Sequence, residues 1–237
     1  MIIYSCLIFT AHAQNTVKEL LITTESAFPK NFSDDNGKTI SGSSSDKVHE
    51  LLKRSQIPYQ MKIMSWNRAF ELARNQDNTC VFSTVRNAER ESGFKWVGPI
   101  DTNTKAVFGS PDKFGKITKI DDIKNGKIGG YLGDEFVSYL AAQGGYAIVS
   151  YEPAIAFKNL AMGRLEYVAV GAEFGEYFIA NNHLTDKVKL LFTFGSTDLY
   201  LACNPKLDDS LINLMNLKLA EMVKDGTYKK IDSKYRH

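Results

Sequence analysis

From about residue 17 onward the chain alternates short apolar runs with amphipathic stretches. "VKELLIT" (17–23) has the pattern of a buried strand, and the polar, turn-rich "SAFPKNFSDDNGKTISGSSS" after it reads as a loop. Asp46 then stands as the N-cap of a helix "KVHELLKRS", in which Val48, Leu51 and Leu52 share one face. "YQMKIM" predicts a second strand. Ser65 is placed to cap a helix "WNRAFELARNQ", with Trp66, Phe70 and Ala73 at helical spacing, and "TCVFST" predicts a third strand. The order βαβαβ implies a mostly parallel sheet.

After "KAVFGSPDKFG" the pattern restarts. "GKIGGY", "AIVSY" and "EYVAVG" read as strands, and "DEFVSYLAAQ", "PAIAFKNLAMG" and "EFGEYFIANN" as helices; "KVKLLFTF" is a strand leading out. The closing segment gives a strand "LYLAC", a turn at Pro205 and a long amphipathic helix. Two similar units and a return segment predict an α/β protein of two lobes, each a mostly parallel sheet flanked by helices, joined by crossovers near 104–109 and 192–197. The expected boundaries are 14–106 plus 195–237 for the first lobe and 107–194 for the second. A cleft flanked by two crossovers has hinge geometry.

Residues 1–13 differ in kind. "MIIYSCLIFTAHAQ" is apolar to Phe9 and ends in Ala11-His12-Ala13 before Gln14, the small-x-small pattern of signal-peptide cleavage, although no Lys or Arg precedes the apolar run. The run is too short to span a bilayer. The expectation is export to the periplasm with cleavage after Ala13. Cys6 leaves with that segment. Cys80 and Cys203 remain, as a disulfide or as two buried thiols; their apolar, strand-like surroundings favour the thiols.

Composition narrows the function. The 237 residues are 43% hydrophobic and 24% charged with a formal charge of +2, and the cations are interspersed with acids, which argues against a nucleic-acid partner. There is no Walker loop, no GxSxG elbow and no HExxH, and His12, His49, His183 and His237 lack metal-ligand spacing. No cofactor or metal is expected. The glycine-rich "GKIGGYLGDE" lacks dinucleotide-fingerprint spacing and reads as a strand-to-helix turn.

One stretch carries candidate chemistry. In "VFSTVRNAERESGFKWVGPI" (81–100), Asn87 is placed to cap a helix beginning Ala88-Glu89-Arg90. The N–H groups of such a helix start, the hydroxyls of Ser83 and Thr84 and the Arg90 guanidinium together would make a carboxylate receptor. The competing reading pairs Arg90 with Glu89 or Glu91 on a wet surface.

"ELLITTESAFPKNF", "SWNRAFELARNQ", "VFSTVRNAERESGFKWVGPI", "GKIGGYLGDEFVSYL", "NLAMGRLEYVAVG" and "MVKDGTYKKIDSKY" together resemble the bacterial periplasmic solute-binding proteins of the amino-acid type, family 3, over almost all of the chain after residue 13. The resemblance implies two lobes that close on a ligand. It implies Arg90 as the clamp on the ligand's α-carboxylate, Ser83 as a strand-end hydroxyl or carbonyl, and Phe28 and Trp66 as walls of the cleft, the helical spacing of Trp66 being equally that of core packing. Glu25, in the first of these segments, joins the candidates. Arg86 either reaches the ligand or braces the turn. Two positions depart from the family pattern. Asp134 follows Gly133 where Thr or Ser is usual, as a helix cap or a repulsive charge. Gly171 stands where an acid normally holds the ligand's ammonium group, with Glu173 two places on.

The expected function is therefore an exported, monomeric binding protein that takes a small carboxylate, an amino acid first, and presents it to a membrane permease or sensor. The alternatives are an exported cyclohexadienyl-dehydratase-like enzyme on the same fold, using Glu173 or Asp134 as a proton donor, and a domain without a ligand.

Overall fold

A computed structural model describes residues 18–130, 135–143, 147–150 and 152–235. The expected signal segment 1–13 and Asp134 lie outside the described residues.

The first unit is β1 (Leu20–Thr24), α1 (Ser43–Ser55), β2 (Tyr59–Ile63), α2 (Trp66–Asn75) and β3 (Thr79–Val85). A long strand, β4 (Lys95–Gly109), leads to the second unit: β5 (Lys127–Gly130), α3 (Glu135–Gln143), β6 (Ala147–Ser150), α4 (Pro153–Ala161), β7 (Tyr167–Gly171) and α5 (Ala172–Asn181). A second long strand, β8 (Lys189–Cys203), returns to α6 (Asp209–Lys224) and α7 (Thr227–Ser233). Among the described residues no helix is long and apolar enough to cross a membrane.

The strands form one eight-stranded sheet in the order β2-β1-β3-β8-β4-β7-β5-β6. β1 pairs parallel with β2 and β3, and β5 parallel with β6 and β7, as the βαβ pattern demands. β4 and β8 lie antiparallel between these groups, paired from Lys95↔Cys203 to Gly109↔Lys189. The two runs read as separate strands, "KVKLLFTF" and "LYLAC", are thus one continuous strand of 15 residues. The apolar pattern lapses in its middle because that part is the waist between the lobes. There the register shifts between Thr104 and Ala106, opposite Gly195, whose φ of +111° suits the extra residue of a bulge.

Apolar side chains bury on each side of the waist. Leu20, Ile22, Leu51, Phe82, Val97 and Met215 belong to one core, and Trp66, Ala69, Val81 and Trp96 pack together nearby. Beyond the waist, Phe108, Phe157, Val168 and Ile179 form one cluster and Val107, Ile128, Leu140 and Phe192 another.

Local corrections follow from tertiary contact. Helix α1 starts at Ser43, three residues before the expected cap, and Asp46 lies in its first turn. The N–H groups of Ser43, Ser44 and Ser45 donate instead to the carbonyls of Pro29, Lys30 and Lys30. A side chain at Gly42 would put its Cβ 2.2 Å from the Lys30 carbonyl oxygen. Ser65 does occupy the N-cap position of α2, but its side chain makes no capping hydrogen bond.

Cys80 and Cys203 form a disulfide, against the expectation of free thiols. They are direct partners in the antiparallel register of β3 and β8, with Cα atoms 3.9 Å apart and both residues fully buried. Their separation of 123 residues means the bridge closes a long loop in the unfolded chain. Replacing both by Ala is expected to lower unfolding stability by about 2–4 kcal/mol; urea titration of the double variant against the oxidised parent measures this.

Candidate functional site

The ends of β1 and β3 and the loops after them face the second lobe across a cavity. The centre of a water molecule can move through about 110 Å³ of it, against roughly 10–15 Å³ for a space holding one water. It therefore suits a small metabolite. Glu25, Phe28, Trp66, Ser83, Arg90 and Glu173, all expected from the sequence, line it. Arg86 and Thr84 do not, and Asp134 lies outside the described residues.

Ser83 reaches the cavity by a backbone distortion. The β3–β8 register breaks between Val81 and Thr84, and Ser83 adopts φ +59°, the left-handed region that non-glycine residues rarely enter. A bulge of this kind re-aims a side chain. The Ser83 hydroxyl donates to Asn31 Oδ1 at 2.7 Å, and Asn31 Nδ2 donates to the Glu25 carbonyl. Asn31, fully buried, so ties the loop after β1 to the end of β3. Thr84 points away from the cavity, its hydroxyl donating to the Val81 carbonyl at 3.3 Å.

Arg90 does not open an α-helix. The segment is a turn followed by a 3₁₀ helix of three residues, Glu91–Gly93. The chain returns to extended structure at Lys95, too soon for an α-helix to grow. Asn87 still caps this turn: its Oδ1 accepts from Arg90 N at 3.0 Å, and its carbonyl accepts from the N–H groups of Arg90 and Glu91. The N–H groups of Arg90 and Glu91 are thus taken up by Asn87 rather than left open as at a helix start, and of the expected receptor the Arg90 side chain and Ser83 line the cavity. The Arg90 guanidinium lies 5.2 Å from the Phe70 ring centre and 5.7 Å from that of Trp66, and Nη1 donates to the Val85 carbonyl at 3.3 Å. Aromatic faces and a carbonyl hold a planar cation in place.

The ion pair weighed against the Arg90 site exists, but Arg86 makes it. Arg86 Nε and Nη2 donate to the two carboxylate oxygens of Glu91 at 2.8 and 2.6 Å, and the guanidinium rests near the Trp96 and Tyr200 rings. The fork raises the Arg86 pKa and lowers that of Glu91. Arg86 braces the turn.

The far wall comes from the second lobe, where Val170, Gly171, Glu173 and Phe174 join Phe136 and Pro153. Phe28 stacks on Tyr177 of α5 with ring centres 3.7 Å apart, and the Lys30 ammonium lies 3.8 Å from Glu173 Oε2, so both contacts join opposite walls. A Cβ at Gly171 would sit 2.5 Å from Asn103 Oδ1. Asn103 thus occupies the space that a longer residue at 171 would need. Lys30, Asn31 and Asn103 were not singled out from the sequence. They sit in polar runs without periodicity, and only the fold turns them inward.

A buried charge cluster backs the site. Lys47 is fully buried, its ammonium 2.6 Å from Asp232 and 3.5 Å from Asp101 and 3.9 Å from the centre of the Tyr228 ring. The Asp232 contact is an ion pair whose angles fall short of a hydrogen bond. Asp101 Oδ2 accepts from the hydroxyls of Ser43 and Ser44 at 2.6 and 2.7 Å. Burial pushes the Asp101 pKa up, but the charges of Lys30 and Lys47 and the two serine hydroxyls outweigh it, and the net shift is downward. Burial and the neighbouring acids Asp101 and Asp232 push the Tyr228 hydroxyl up.

The family model for bacterial extracellular solute-binding proteins, family 3, matches residues 20–237. The chain belongs to that family. Among solved structures, a histidine kinase sensor domain with similarity to periplasmic binding proteins superposes with a TM-score of 0.84 at 19% identity, covering 94% of this chain and 97% of that one. An ancestral arginine-binding protein bound to arginine gives 0.81 at 23% identity, covering 92% and 98%. The arginine-, lysine-, histidine-binding protein ArtJ from Geobacillus stearothermophilus gives 0.79 at 17%, covering 92% and 95%. No curated protein sequence matches significantly. At these identities the structural likeness carries the two-lobed periplasmic-binding-protein-like fold, and the family match makes the cavity between the lobes the candidate solute site.

Two expectations follow. Arg86→Ala removes an exposed pair and should change ligand affinity and stability by less than about 1 kcal/mol each; calorimetry and thermal unfolding check this. Asp101 has a folded pKa below its ordinary 3.8, so its carboxylate contributes stability above that value, which is lost as pH falls through the lower folded value. Asp101→Asn should reduce stability at neutral pH and flatten the acid loss, as read from unfolding midpoints between neutral pH and about pH 2.

Proposed function

We propose that this protein is an exported receptor for a small carboxylate-bearing metabolite, an amino acid first of all, which it encloses between its lobes and presents to a membrane transporter or sensor. The observation that carries the reading is Arg90: a guanidinium on the cavity wall, held against Trp66 and Phe70 beside the re-aimed Ser83. Its planar fork suits both oxygens of a carboxylate. Phe28 and Trp66 would flank the ligand's apolar part, and the carboxylates Glu25 and Glu173 also line the cavity.

Relatives support the ligand class. Solved structures of this fold include an ancestral arginine-binding protein bound to glutamine, and the GluR0 ligand-binding core from Nostoc punctiforme in complex with L-glutamate. The lobes in this reading are residues 14–106 with 195–237, and 107–194. They move about the waist of β4 and β8, where a bulge and Gly195 interrupt the register. Closure gains the Phe28–Tyr177 and Lys30–Glu173 contacts. Residues 1–13 act as the export signal.

The test is a thermal-shift screen of the chain from Gln14 onward against the amino acids, di- and tricarboxylates and prephenate. A ligand at 100 times its Kd should stabilise by about 2.7 kcal/mol. Arg90→Ala should then weaken the best hit by about 2–5 kcal/mol, the cost of removing one partner of a buried charge pair. Unchanged affinity would remove Arg90 from the site, and turnover of prephenate would replace the receptor reading with an enzymatic one.

A further inference from the structure

Lys30 and Glu173 face each other across the cavity in an arrangement that is neither a closed ion pair nor two independent charges. The Lys30 ammonium lies 3.8 Å from Glu173 Oε2, beyond the roughly 2.7–2.9 Å of a charge-assisted hydrogen bond. Glu173 Oε2 is itself buried and accepts no hydrogen bond. A buried acceptor in that state calls for a donor.

We propose that Lys30 determines specificity: as the internal counter-ion of Glu173 it selects a ligand with a neutral, hydrogen-bonding side chain of the carboxamide type and rejects charged side chains. The inference rests on the amino-acid reading of the cavity given above.

Lys30 is poorly placed to swing aside. The residue is 9% exposed, and its carbonyl accepts from the N–H groups of Ser44 and Ser45 at 3.0 and 3.1 Å. Two residues earlier, Phe28 is stacked on Tyr177. The Lys30 side chain is itself only 11% exposed, which keeps the cation within the wall. A carboxamide carries an acceptor for the Lys30 ammonium and N–H donors for Glu173 Oε2 on one planar group. A guanidinium or ammonium side chain would satisfy Glu173 but meet Lys30 as a like charge, and a carboxylate would satisfy Lys30 but meet Glu173. Each charged ligand is thus opposed by one member of the pair, and specificity comes from the repulsion as much as from the attraction.

The experiment is titration calorimetry of the parent, Lys30→Met and Glu173→Gln with L-glutamine, L-arginine and L-glutamate, each variant first checked for cooperative thermal unfolding. The parent should bind glutamine tightest. Lys30→Met should move the arginine-to-glutamine affinity ratio toward arginine by roughly tenfold or more, and Glu173→Gln should move the glutamate-to-glutamine ratio toward glutamate on a similar scale. Should Lys30→Met not fold, Glu173→Gln, which keeps the side chain's size, carries the test alone. A parent that prefers arginine or glutamate overturns the inference, and so do ligands that bind the variants with unchanged ratios; the amino-acid reading survives both results. A parent that binds none of the three overturns the inference, and the amino-acid reading with it if no other amino acid binds.

Discussion

The pairing of β4 with β8 is the constraint on which the rest of the structure depends. These strands of 15 residues each supply side chains to the cores on both sides of the waist: Val97, Ile100 and Leu201 on one side, Phe108, Val107 and Phe192 on the other. Between those ends the paired residues are polar, Asn103 with Thr197 and Thr104 with Ser196, and they belong to none of the apolar clusters. The cavity lies beside that waist, with Asn103 and Leu199 of the two strands in its wall.

The site's geometry depends on anchoring a loop. The segment after β1 carries Phe28, Lys30 and Asn31, and it has little secondary structure of its own. The N-terminal N–H groups of α1 hold its carbonyls, and Asn31 joins it to Ser83. The α1 start is in turn fixed by Asp101 on β4, through the Ser43 and Ser44 hydroxyls and the buried Lys47. Removing a charge from such a cluster leaves its partner buried and uncompensated, so the fully buried Lys47 is a structural residue of the site although it does not line the cavity. The cavity's polar groups are thus held by a continuous set of contacts from α7, through Asp232 and Lys47, to the crossing strand.

Much of the fold was legible because its signals are local. The repeated βαβ pattern follows from apolar spacing within single segments, and the strands and helices of both units appear in the expected order; β4, whose polar middle interrupts its apolar spacing, was not read as a strand, and the one closing helix expected is two, α6 and α7. Arg90 and Ser83 were legible as residues of the cavity wall, since a polar run at a strand end faces the crevice of an open α/β sheet. The misreadings share one cause. Asp46 has the chemistry of a cap, but the helix gains a further turn because the Pro29 and Lys30 carbonyls meet its N–H groups. Arg90 and Arg86 are equally good partners for Glu91 in sequence, and only the turn geometry gives Glu91 to Arg86.

The sequence by itself determined most of the strands and helices of the two α/β units and that an arginine stands near the end of the third strand, but it left β4 unread as a strand and expected a helix at Ala88-Glu89-Arg90 where the structure has a turn. Tertiary structure alone decided that Cys80 meets Cys203, that two apolar runs form one strand through both lobes, that Asn103 fills the space beside Gly171, and that Lys30 faces Glu173. The physical reason is range. Periodicity and capping act over a few residues, whereas each of these contacts joins residues far apart in the chain, 123 positions for the disulfide, and exists only once sheet register and the waist have brought the two units together.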